Sequence, residues 1–153
     1  MEATSAEDQA WMRRCLVLAE ASGVADEVPV GALVVREGQI LGEGRNRCEE
    51  RRSPLAHAEM EALAQAFANA GEGRLPGATL YCTLEPCILC TGALLHARIE
   101  RVVYGARDPK FGACGSLYHL PSDPRLNHRC TVVEGVLADE SAALLRSFFR
   151  RLR

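Results

Sequence analysis

Two short clusters hold the residue types that could do chemistry: His57-Ala58-Glu59, and Pro86-Cys87-Ile88-Leu89-Cys90 further along the chain. Cys87 and Cys90 are three apart, so on one helical turn they face the same side and can share a metal ion. One histidine and two thiolates make a soft-to-borderline donor set that suits zinc. Three protein ligands leave the fourth tetrahedral position open for water, the pattern of a catalytic rather than a structural zinc. His96, His119 and His128 do not stand at zinc-finger spacing from either cysteine. Glu59 is the candidate proton carrier: it can accept the water proton, pass it to a ring nitrogen and then protonate a leaving amine. On a regular helix it would diverge from His57 by about 200°, so both reach one site only where substrate meets the helix end-on. The plain alternative for Glu59 is a solvated surface carboxylate, which is the expectation for Glu61.

The elements that must position these residues follow from period and punctuation. A helical period from about Ser5 ends near Gly23, and the β-branched run Val30 to Val35 with Gln39 to Gly44 reads as a hairpin across Glu37-Gly38. Ser53-Pro54 reads as the cap and first position of a second helix running to about Ala70. A strand spans Thr79 to Leu84, and Pro86 opens a third helix to about Arg98. Both helix starts would aim partial positive charge at the metal and favour thiolate. Further strands read at Arg101 to Tyr104 and Thr131 to Leu137, separated by a loop-rich stretch, and a helix runs from Asp139 to the end. The alternation predicts a largely parallel sheet flanked by helices on both faces.

The chain's 153 residues bound one domain, 1–153. With 48% hydrophobic and 25% charged residues it reads as a globular protein, neither disordered nor collagen-like. No apolar run reaches the length of a membrane span, and the acidic start is unlike a targeting segment, so the expectation is a cytoplasmic protein. Seven cysteines, an odd number, do not read as a disulfide framework; Cys15 and Cys82 read as buried small hydrophobes. Residues 1–72 hold 13 acidic and 7 basic residues, whereas residues 73–153 hold 7 and 11. That asymmetry points to a polyanionic partner on the basic side, or only to a solvated surface. The terminal helix sets Phe148 and Phe149 among Arg146, Arg150, Arg151 and Arg153, which suits stacking on splayed bases and neutralising phosphates. An ordinary amphipathic helix with Phe148 in the core is the alternative.

His57-Ala58-Glu59 with Pro86-Cys87-Ile88-Leu89-Cys90 resembles the zinc deaminase signature. Glu27-Val28-Pro29-Val30-Gly31-Ala32, Gly44-Arg45-Asn46-Arg47, Thr83-Leu84-Glu85-Pro86, Gly105-Ala106-Arg107-Asp108, Gly112 to Leu117 and Leu126-Asn127-His128-Arg129 are similar to the bacterial tRNA-specific adenosine deaminases. So is Gly135 to Glu140. The departures are Ser53-Pro54-Leu55 for the usual Asp-Pro-Thr, Leu89 for Met, and Thr91 for a smaller residue; every ligand is intact. The resemblance implies a cytidine deaminase-like α/β fold, a three-layer α/β/α sandwich around a five-stranded mixed sheet. It implies one Zn2+ per chain on His57, Cys87 and Cys90, with Glu59 catalytic. It implies a homodimer that converts adenosine to inosine at the wobble position of a tRNA anticodon stem-loop. Asn46 would contact the target nucleoside and Asp108 a neighbouring ribose, with Val30, Leu84 and Pro86 shaping the base pocket. Phe148, Phe149 and Arg150 would meet flanking nucleotides. Deamination of a free nucleobase or nucleoside such as guanine or cytosine is the nearest rival. A non-catalytic, zinc-stabilised RNA-binding module is the third; it requires four protein ligands and a dispensable Glu59.

Overall fold

A computed structural model describes residues 5–152; residues 1–4 and Arg153, the tips of the acidic start and of the arginine-rich end, lie outside the described residues. Ser5 and Asp8 close a reciprocal capping box that starts α1 (Ala6–Val24). A hairpin of β1 (Gly31–Arg36) and β2 (Gln39–Arg45) turns at Glu37 and Gly38, both at positive φ (53° and 71°), the backbone that a twisted two-residue hairpin loop demands. Then come α2 (Cys48–Arg51), α3 (Ala58–Ala70), β3 (Thr79–Leu84), α4 (Ile88–His96), β4 (Arg101–Ala106), a 3-10 turn (Leu120–Ser122), β5 (Thr131–Val133) and α5 (Ala138–Arg151).

The sheet runs β2-β1-β3-β4-β5. β1 is antiparallel to β2 and β3, while β3–β4 and β4–β5 are parallel. Half of the pairings are thus antiparallel, which corrects the largely parallel expectation; the hairpin return reverses β1, an effect that alternation alone does not register. The mixed five-stranded sheet is the one the family resemblance implies. Period-two alternation splits the core. Leu33, Val35, Tyr81 and Val103 face α1 with Met12 and Cys15, whereas Ala32, Val34, Leu80, Cys82, Val102 and Tyr104 face α3 and α4 with Ala58, Ala62, Leu63 and Leu94. Cys15 and Cys82 are buried as expected, on opposite faces. α5 joins α1 on its side, where Arg151 Nη2 donates to Gly23 O at 3.2 Å.

Two element boundaries differ from the sequence reading in ways that matter. The second helix starts at Ala58, not at Ser53. Arg52 takes a left-handed backbone (φ 49°) after the single α2 turn, and the Ser53 hydroxyl accepts from Leu55 N at 3.1 Å, so Ser53-Pro54 is spent on a turn. The fifth strand stops at Val133 rather than Leu137. Glu134 is drawn off the ladder by the Tyr104 hydroxyl and Arg107, and Gly135 and Leu137 both sit at positive φ.

The seating of α3 is set by two glycines. A Cβ on Gly42 would collide with Ala62 O, and one on Gly44 with Ala58 O. Only hydrogen at these positions lets β2 approach the helix backbone so closely, and the closeness fixes where the helix's first turn lies.

Candidate active site

His57 is the N-cap of α3, with an extended backbone (φ −67°, ψ 152°), and Cys87 is the N-cap of α4 (φ −76°, ψ −179°). Because His57 stands outside the helix, the angular divergence from Glu59 expected on a continuous helix does not apply. The His57 ring instead reaches the first turn of α4: Nδ1 lies 3.5 Å from Cys87 Sγ and 3.3 Å from Cys90 Sγ. Among the described residues these three form the only metal-competent group of histidine, cysteine and carboxylate side chains, with donor atoms all within 4.8 Å of one another.

The donor set fits zinc. Sulfur at about 2.3 Å and nitrogen at about 2.0–2.1 Å from a tetrahedral ion stand roughly 3.5 Å apart, close to the separations found here. A hydrogen bond from Cys90, joined by one with His57, holds the Cys87 thiol down to about 4 against its burial. The same bond and burial push the Cys90 thiol up, so of the two it is Cys87 that favours thiolate. The hydrogen bond with Cys87 also raises His57. Both helix N-termini face this thiolate and favour it.

Glu59 is 4% exposed, so it is not the solvated carboxylate weighed as the alternative. Burial pushes its carboxyl above the usual carboxylate range, and its charged neighbours are His57 and Cys87 of the cluster itself. A buried carboxyl of raised affinity for protons, beside metal-competent donors, is suited to proton transfer near neutral pH. Glu61 is half-buried and pairs with Arg51 Nε at 2.9 Å.

The remaining sequence candidates surround this cluster unevenly. Val30 and the half-buried Leu84 belong to the same apolar cluster as Ala58 and Cys82, and Pro86 is buried beside Cys87. Asn46 caps the turn before α2: its amide donates to Val28 O at 3.2 Å and its Oδ1 accepts from Cys48 N at 3.1 Å. Asp108 Oδ1 accepts from Lys110 N and Phe111 N at 3.0 and 3.2 Å, closing the loop that crosses Cys87 through a bridge at Gly112. Phe148 is corrected. At 5% exposure it lies in the interior, edge-on to Phe149 and beneath Arg151, because it shares the inward stripe of α5 with Ser141, seven residues earlier. Phe149, 46% exposed, offers its ring to solvent. Phe149 and Arg150 line a groove of about 600 Å³ with Leu145, Arg146 and Lys110.

Two buried glutamates escaped the sequence reading. Glu27 accepts from Glu49 N at 2.9 Å and Glu50 N at 2.7 Å, and Glu85 holds the loop beside Cys87. Their partners are backbone N–H groups, joined at Glu85 by the Ser116 hydroxyl, and backbone donors carry no sequence signal; the one available cue for Glu85 is an acid at a strand end amid apolar residues.

A family model described as MafB19-like deaminase matches residues 6–153. The tRNA-specific adenosine deaminase of Streptococcus pyogenes serotype M18 is 44% identical over 150 residues, covering 97% of this chain and 94% of that protein. A solved structure from work on A-to-I editing by tRNA:A34 deaminases at the wobble position of transfer RNA superimposes with a TM-score of 0.85 at 43% identity, covering 89% of this chain and 99% of that one. The guanine deaminase of Nitrosomonas europaea superimposes with a TM-score of 0.76 at 28% identity, covering 97% of this chain and 86% of that one.

Proposed function

This chain belongs to the MafB19-like deaminase family, and on that premise we propose that it converts adenosine to inosine at the wobble position of a tRNA anticodon. Its likeness to tRNA-specific adenosine deaminases makes it an enzyme that deaminates adenosine in tRNA; wobble placement, zinc, a homodimer and a cytoplasmic setting complete the reading. No helix among the described residues is long and apolar enough to cross a membrane. The observation that carries the proposal is the buried Glu59 carboxyl set against the His57-Cys87-Cys90 cluster.

His57 Nδ1, Cys87 Sγ and Cys90 Sγ would hold one Zn2+ per chain. Bound there, zinc supplies the Lewis acidity that makes water nucleophilic near neutral pH. Glu59 takes a proton from the attacking water and delivers it to N1 of adenine as oxygen adds at C6. It then relays the second water proton to the exocyclic nitrogen, which leaves as ammonia; water and adenosine become inosine and ammonia. Val30, Leu84 and Pro86 would wall the base pocket, with Asn46 turned toward the nucleoside and Asp108 toward a neighbouring ribose. Lys110, Arg146 and Arg150 around the exposed Phe149 ring supply cations and a stacking face for splayed nucleotides.

The test is a deamination assay on zinc-quantified protein, offering an anticodon stem-loop with adenosine at the wobble position beside free adenosine, guanine and cytosine. Inosine in the stem-loop alone is the expected result. Turnover of a free base or nucleoside alone would overturn the RNA reading in favour of the nucleobase rival, which the likeness to a guanine deaminase keeps in view.

A further inference from the structure

We propose that Glu85 is a positioning residue for this reaction, holding the 108–116 loop across the Cys87 end of the site in the conformation that receives nucleotides beside the reacting adenosine. The inference rests on the anticodon reading above. Glu85 is 1% exposed and sits between the end of β3 and Pro86-Cys87. Its Oε1 accepts from Asp108 N at 3.0 Å and from Ser116 Oγ at 2.5 Å. Its Oε2 accepts from Cys114 N at 3.1 Å and Ser116 N at 3.0 Å. All four donors come from the one loop, so a single carboxylate gathers both of its ends.

The loop is shaped to close on that carboxylate. A Cβ on Gly112 would collide with the Glu85 carboxyl group, and Ala113 N donates to Pro86 O at 3.0 Å. What the carboxylate fixes then passes outward. Asp108, held through its own N–H, orders the next turn by accepting from Lys110 N and Phe111 N. That turn carries Lys110 to the groove of Arg146, Phe149 and Arg150. The chemistry at Glu59 lies elsewhere, on α3, so Glu85 governs how substrate is received rather than how its bond is broken.

Glu85→Gln keeps the volume but turns an amide NH2 toward N–H donors, leaving buried donors unpaired. Ser116→Ala removes the one hydroxyl bond to Glu85 and leaves the carboxylate itself and the Ser116 N–H bond in place, and Gly112→Ala wedges the loop away from it. The expected result in zinc-loaded protein is a KM for the anticodon stem-loop raised about tenfold with kcat within about threefold of wild type. A second readout uses the sequence itself: Lys110 is the sole lysine of the chain, so a lysine-specific protease reports this loop alone, and its cut should come about tenfold faster in the variants. A purely structural Glu85 would lower Tm and leave KM unmoved. Wild-type turnover of the stem-loop with unchanged KM and unchanged Lys110 cleavage in folded Glu85→Gln overturns the proposal alone. If Glu85→Gln fails to fold, the same two nulls in Ser116→Ala and Gly112→Ala overturn it. A wild type that leaves the stem-loop untouched overturns the anticodon reading and this proposal with it.

Discussion

Asp8 and Glu59 are both carboxylic residues taken almost wholly out of water, 2% and 4% exposed, on opposite faces of the sheet. Asp8 lies on the α1 face, where Tyr81 Oη donates to it at 2.7 Å and Arg101 donates twice, at 3.1 and 2.8 Å. Burial alone would raise Asp8, but these hydrogen bonds and the guanidinium charge hold it at about 2. Glu59 lies on the α3 face, where burial pushes it up and its charged neighbours are the histidine and thiolate of the cluster. One carboxylate is committed to its partners and staples α1 to the sheet. The other keeps a proton within reach of exchange, and that is what a general acid and base requires.

The comparison breaks most completely at the cluster. His57→Ala should leave less than a tenth of the wild-type zinc content and no detectable turnover, since removing one of three ligands dismantles the set; metal analysis of the purified variant checks it, and a fully metallated His57→Ala protein would contradict the ligand assignment. Next in size is Asp8→Asn, which takes the carboxylate from Arg101 and should cost about 3 kcal/mol in urea unfolding, with kcat for the folded enzyme little changed.

The same pair has a pH signature. A carboxyl held at about 2 in the fold and near its ordinary value when unfolded stabilises the protein fully above about pH 4. That contribution is lost as pH falls from about 4 through 2. The stability gap between wild type and Asp8→Asn should therefore narrow between pH 5 and pH 2.5; a gap that stays constant would remove the charge from the explanation. Smallest is Gly44→Ala, which presses on Ala58 O and should cost about 2 kcal/mol of stability while lowering turnover through the displaced first turn of α3. Asp8, on the other face, should keep its melting contribution in that variant.

The two regions also differ in how far they could be read from sequence. His57, Glu59, Cys87 and Cys90 announce themselves because ligand chemistry and local spacing are written in side-chain types, and the helices and hairpin follow from hydrophobic period. Sequence alone sets the start of α3 too early because Ser53-Pro54 carries cap chemistry that a turn uses equally well, and the decisive left-handed Arg52 has no composition signal. The Asp8-Tyr81-Arg101 staple joins residues 73 and 93 apart in sequence, beyond the reach of any local pattern. Glu27 and Glu85 bind backbone N–H groups, which every residue but proline supplies. Phe148 and Phe149 are adjacent in sequence, and only the packing of α5 on α1 decides which ring faces inward.

The most direct measurement is kcat on the anticodon stem-loop, with zinc content, for Glu59→Gln. An isosteric amide cannot carry the proton, so turnover should fall by about 10²–10⁴-fold while zinc stays near one per chain, because Glu59 is not among the donors of the cluster. Retained turnover in fully metallated Glu59→Gln protein would contradict the assignment of the buried carboxyl as proton carrier.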